Sequence, residues 1–160
     1  MGSVKQGLPV RKQCKRKHWN LIDPVAHAIA GAAITDQTSL NKLRLRELSA
    51  IESMAKGAGT TEDWRHLVDM LNICEMMALQ GIGPEALVAC EIAQQSLAEA
   101  AKRYETIKRM GLSGEGIQEI REVYEYHDLQ RTSISRSEYE RMIQKTRNHL
   151  KAQSDLVTVL

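Results

Sequence analysis

Three sets of side chains in this 160-residue chain have the types and spacing to do chemistry. His66 follows Glu62 by four residues and Asp63 by three, which puts the trio on one helix face. Two such groups chelate a metal only when further ligands arrive from elsewhere. Beside Arg65 they read as a solvated face, and no metal ligand is assigned. Asn72 and Glu75 make a polar strip on an otherwise apolar helix, and His127-Asp128 lies on a second apolar face. A buried carboxylate or amide without a partner is costly. The pattern therefore predicts a structural polar staple of Asn72, Glu75 and His127, with the two helices docked along it. The third set is basic: Arg11, Lys12, Lys15, Arg16 and Lys17 near the start, and Arg141, Lys145 and Arg147 near the end. These are the candidate nucleic-acid contacts, acting on phosphates in a salt-dependent way.

Much chemistry is excluded. The chain has no phosphate loop of the G-x-x-x-x-G-K-[ST] type, no H-E-x-x-H and no C-x-x-C. Gly111, Gly114 and Gly116 form a glycine-rich run, but it joins two helices and lacks a lysine and a preceding strand. It reads as a hinge. No nucleophile is paired with a base, so the expectation is no enzyme, no catalytic residue, no cofactor and no small-molecule substrate.

The formal charge of +2 hides an asymmetry. Six of the 22 basic residues fall in residues 1–18, which hold no acid; the rest carries 16 basic against 20 acidic residues, a net of −4. A basic, aperiodic arm on a mildly acidic body reads as a nucleic-acid arm or a solvated tail. Cys14, Cys74 and Cys90 have no metal-like spacing, and the latter two sit on apolar helical faces. No run of 18 apolar residues is present, so no membrane span is expected. A reducing cytoplasm is the expected location.

The elements that must position these residues are helical. Leu and Ala number 16 each, Phe is absent, and aromatic residues are 4% of the chain. Unbranched side chains lose little entropy in helices, and strand-favouring residues are sparse. The predicted fold class is all-α: a single-domain bundle of about five to six helices around a central apolar helix at about 61–80. The predicted domain limits are a disordered basic arm at 1–18, a helical domain at 19–152 and a tail at 153–160. Thr60 and Asp63 form a capping box for the central helix. Asp23-Pro24 starts a short helix of small residues. A second runs from Leu40 to about Lys56 and ends at Gly57, with Leu45, Leu48, Ile51 and Met54 inward and Arg44 and Glu47 on the wet side. Ser113 caps a fifth helix, and Ser135 with Glu138 caps a sixth.

The fourth helix is the long one, about 84–110. Ala93, Leu97, Ala100, Tyr104 and Ile107 recur at alternating spacings of four and three, a heptad seam. At about 1.5 Å per residue it spans about 40 Å, longer than the other helices cover. The seam is therefore the expected self-association surface, with a homodimer favoured.

The stretches KHWNLIDPVAHAIAG (17–31), LRLRELSAIESMAKGAGTTEDWRHLVDMLNICEMMALQGIG (43–83) and GLSGEGIQEIREVYEYHDLQRTSISRSEYERMI (111–143) carry a resemblance. In the order of their motifs they resemble short uncharacterised all-helical proteins encoded by bacteriophages, prophages and plasmids of proteobacteria. That resemblance implies an intracellular product of a bacterial mobile element and supplies no site residues. The expected function is a non-enzymatic regulatory factor that binds a host or phage protein. The alternative is a nucleic-acid-binding regulator using the arm and the last helix.

Overall fold

A computed structural model describes residues 37–157 of the chain, and all five elements there are helices. They are α1 (Gln37–Ala55), α2 (Thr61–Leu79), α3 (Ala86–Ile107), α4 (Gly114–Ser133) and α5 (Arg136–Val157). The expected short helix after Asp23-Pro24 and the basic arm, with Arg11, Lys12, Lys15, Arg16 and Lys17, lie outside the described residues.

The apolar helix α2 is central, packing on each of the other four helices. Its start is the expected capping box: the Asp63 N–H donates to Thr60 Oγ1 at 3.1 Å, and the Thr60 N–H donates to Asp63 Oδ2 at 2.8 Å. Two orphan donors of the first turn are satisfied. Leu67, Met70, Leu71, Cys74, Met77 and Ala78 are buried along it. The main core joins these to Ala50, Ile51 and Met54 of α1, Ala86 to Ala100 of α3, and Ile120 and Val123 of α4. Trp64 lies against this core and donates its indole N–H to the Leu97 carbonyl at 2.9 Å. A smaller cluster of Met77, Ile134, Tyr139 and Met142 seats the start of α5.

The long helix ends at Ile107, three residues before the expected limit. Lys108 takes the left-handed conformation, φ 55°, and its N–H bonds to the Tyr104 carbonyl. The chain is then drawn across the end of the α1–α2 hairpin: the Gly59 N–H donates to the Met110 carbonyl, and the Leu112 N–H to the Met54 carbonyl. These tertiary bonds engage the Met110 carbonyl and the Leu112 N–H beyond the end of the helix.

α1 is rotated from its expected orientation. Leu40, Glu47, Ala50, Ile51 and Met54 face inward, while Leu45 is 70% and Leu48 45% exposed. A glutamate has displaced leucines from the core, and its partner explains the exchange.

Candidate functional site

The polar centre of the molecule is built on α4 and reaches three other elements. Arg131, buried, donates from Nη1 to Glu47 Oε1 at 2.9 Å, and from Nη2 to Asp128 Oδ1 at 3.0 Å. Asp128 also takes both arms of Arg44, Nε to Oδ1 and Nη2 to Oδ2, each at 2.8 Å. Such a fork-on-carboxylate pair is the strong form of an ion pair. Two arginines and two carboxylates thus hold α1 on α4. Burial pushes the Glu47 carboxyl up, against the pull of Arg131. Burial also raises Asp128, but the Arg44 hydrogen bonds and the Arg131 charge hold it below its ordinary value. Among the described residues, Glu47 Oε2 and Arg131 Nε are buried without a hydrogen-bond partner.

His127, 0% exposed, sits beside this network on α4. The Gln130 amide nitrogen donates to the carbonyls of Cys74 (3.2 Å) and Ile82 (2.8 Å), which uses both its N–H groups. Its oxygen therefore faces His127 Nδ1 at 3.3 Å and can only accept. The ring then carries its proton on Nδ1, and Nε2 accepts from the Tyr139 hydroxyl at 3.2 Å. Every polar atom of this cluster is engaged by a neutral ring. Burial, then the Arg131 charge, pushes the His127 pKa down to about 3.

The expected staple does not form. Glu75 accepts from Gln94 of α3 at 3.2 Å, Asn72 lines a groove against α5, and His127 meets neither. The reason is helical phase. α4 docks on the side of α2 that carries Cys74, and Asn72 and Glu75 lie on the other flank. The polar partner that α4 provides to α2 is Gln130, bonded to a backbone carbonyl; side-chain pattern alone does not mark such a contact. The Glu47–Arg131 pair was likewise not anticipated. An outward-reading glutamate and an arginine near a helix end look like surface residues until their helices are packed.

The expected self-association seam is also corrected. Ala93, Leu97 and Ala100 are buried within the chain against α2 and α4, and Tyr104 packs partly against the same core. Small residues at heptad spacing served close helix approach inside the domain, and only Ile107, at 64% exposure, is left outside. Glu62 and His66 approach to 3.8 Å on the surface. Among the described residues no group of three or more His, Cys, Asp or Glu could hold a metal ion.

α5 is the element with the most free surface. Its extended contact is with α2, and a groove runs along each flank. The first, about 290 Å³, lies between α1, α2 and α5, with Leu43, Met70, Ile73 and Ile143 as apolar walls and Asp69 and Arg147 among its polar lining. The second, about 370 Å³, lies between α2, α3 and α5 and includes Met76, Leu79, Leu150 and His149. Arg141, Lys145 and Arg147 are all exposed on α5, as expected. Arg141 pairs with Glu138 at 3.4 Å, and Lys145 donates to the Gln80 side chain at 2.6 Å.

No protein-family model, curated protein or solved structure matches the chain. Among the described residues no helix is long and apolar enough to cross a membrane.

Proposed function

We propose that this chain is a non-enzymatic, protein-binding regulatory factor of the phage or plasmid type that its sequence resembles, acting in the bacterial cytoplasm on a host or phage protein. The observation that carries the reading is α5, a 22-residue helix packed mainly on α2, with a groove of mixed apolar and polar lining on either side. Amphipathic helices and grooves of this kind are the common currency of helix-in-groove recognition. Leu79 and Leu150 are exposed and line one groove, so substituting them leaves the core intact. Affinity capture from bacterial lysate with the full chain, and with Leu79→Asp/Leu150→Asp, tests the reading. A protein retained by the first and lost from the second supports it. Equal retention moves the surface elsewhere, and an empty capture discards the reading.

The proposal includes a homodimer. With the seam buried, the contact falls on the outer face of α3, where Val88 and Ile92 stand exposed one turn apart. Light scattering of the chain against Val88→Asp/Ile92→Asp reads this directly; a monomer at all concentrations removes it.

A nucleic-acid-binding regulator is the second reading. It is favoured by three exposed cations within seven residues of α5, of which Arg147 makes no ion pair among the described residues. Duplex-DNA binding at two salt concentrations, with and without residues 1–17, tests it. The reading falls if the full chain shows no salt-dependent binding.

A further inference from the structure

Lys56, Arg103 and Arg109 converge on a cleft of about 260 Å³ at the end of the bundle where α1 and α3 terminate. They arrive from three places: just past the end of α1, the last turns of α3, and the α3–α4 connection. No carboxylate lines the cleft, whose other walls are Ala55, Gly57, Ile107, Gly111 and Leu112. Lys56 is bridged to Glu52 at 2.9 Å. Neither Arg103 nor Arg109 has a carboxylate partner among the described residues.

Each guanidinium is held by a single bond to a loop carbonyl. Arg109 Nε donates to the Gly57 oxygen at 3.1 Å, and Arg103 Nη2 to the Gly111 oxygen at 3.2 Å. Those two glycines are themselves in close approach, since a Cβ on Gly111 would lie 3.0 Å from Gly57 Cα. A Cβ on Gly57 would lie 2.8 Å from the Arg109 guanidinium. The two loops are thus in close contact, and each offers one carbonyl to a guanidinium. Capping helix C-termini is the structural role of such cations. It accounts for one N–H of each guanidinium, and an arginine has five. The remaining N–H groups belong to exposed, planar forks that match phosphate oxygens two at a time.

We propose that this cleft binds a phosphate group, with Arg103 and Arg109 as the forked donors and Lys56 as the neighbouring charge. Its volume lies just below the about 300–1,000 Å³ of pockets that enclose a whole small molecule. The recognised unit is the phosphate, with the rest of the ligand outside. Its lining shares no residue with the α5 grooves, so it stands or falls independently of the protein-binding reading.

Titration of the full chain with inorganic pyrophosphate and with ATP at low salt is the experiment. Saturable one-to-one binding of both is expected. Equal affinity identifies phosphate alone as the source, and tighter ATP binding identifies a nucleotide. Amide chemical shifts on saturation should move at Gly57, Gly111 and Leu112, a readout that needs no variant. Arg103→Gln/Arg109→Gln keeps a side-chain amide toward each carbonyl and should weaken binding at least tenfold. Arg103→Lys/Arg109→Lys keeps charge but not the fork and should fall between. The proposal is overturned by the absence of saturable binding, by unchanged affinity in the glutamine variant, or by shifts confined to α5 or residues 1–18.

Discussion

Glu47 of α1 and Arg131 of α4, 84 residues apart in sequence, meet at 2.9 Å with both side chains buried. Removing one partner strands a buried charge, whereas replacing both removes the desolvation cost together with the attraction. Arg131→Met alone, which leaves Glu47 without its partner, should cost about 3–5 kcal/mol, and Glu47→Leu less, because Arg131 keeps Asp128. The double substitution should recover most of that loss, and urea denaturation of the four proteins closes the cycle. Additive losses would show that the pair contributes through its separate surroundings.

His127 gives the fold a pH dependence of known sign. Its folded pKa is pushed down to about 3, by burial first. The unfolded chain takes up the proton near the ordinary value of about 6.5. Below that pH the unfolded state binds more protons, so stability is present above it and falls as the pH drops toward 3. The slope approaches about 1.4 kcal/mol per pH unit. Glu47, raised by its burial, works the other way near its own titration, because its folded form holds a proton longer. His127→Gln isolates the histidine: thermal melts between pH 7 and 5 should be flatter in the variant than in the parent. Parallel profiles would refute a buried neutral ring.

The two faces of α1 should respond oppositely to substitution. Leu40 is buried and Leu45 exposed. Leu40→Ala should cost about 2–5 kcal/mol, while Leu45→Glu should stay within about 0.5 kcal/mol of the parent. The rotated α1 is wrong if Leu45→Glu is the more damaging in chemical denaturation.

The glycine run between α3 and α4 makes its own distinction. A methyl group on Gly111 would press on Gly57 Cα and the Met54 carbonyl, both backbone, while one on Gly114 meets nothing within 4 Å. Gly111→Ala should lower the melting temperature clearly and Gly114→Ala should leave it unchanged or raise it. Equal effects would mean that conformational freedom matters there and the close approach does not.

Loss of the α2 cap is a smaller, local effect. Thr60→Ala removes the acceptor for the Asp63 N–H and should destabilise by about 1 kcal/mol. Thr60→Ser, which keeps the hydroxyl, should restore most of it, as measured by denaturation midpoints.

The local features followed from sequence because they depend on neighbours in the chain. The all-α class, the Thr60–Asp63 box and the Ser113 cap, which accepts the Gly116 N–H at 3.0 Å, are of this kind. Spacing of 3.6 and the reach of a short polar side chain suffice for them. The position of α2 at the centre was legible too, because a helix apolar around most of its circumference must be covered on several sides.

What tertiary structure decided was phase and partnership. Glu47 could turn inward and Leu45 outward only because Arg131, from a helix not yet in view, supplies the charge that a buried carboxylate requires. Ala93, Leu97 and Ala100 could serve an internal or an external neighbour equally well from sequence, and the packing of α2 and α4 assigned them inside. The convergence of Arg103 and Arg109 over Gly57 and Gly111 depends on two loops meeting, about fifty residues apart. Periodicity states which residues share a face; which face meets which is a property of the packed whole, settled where buried charges and backbone carbonyls find partners.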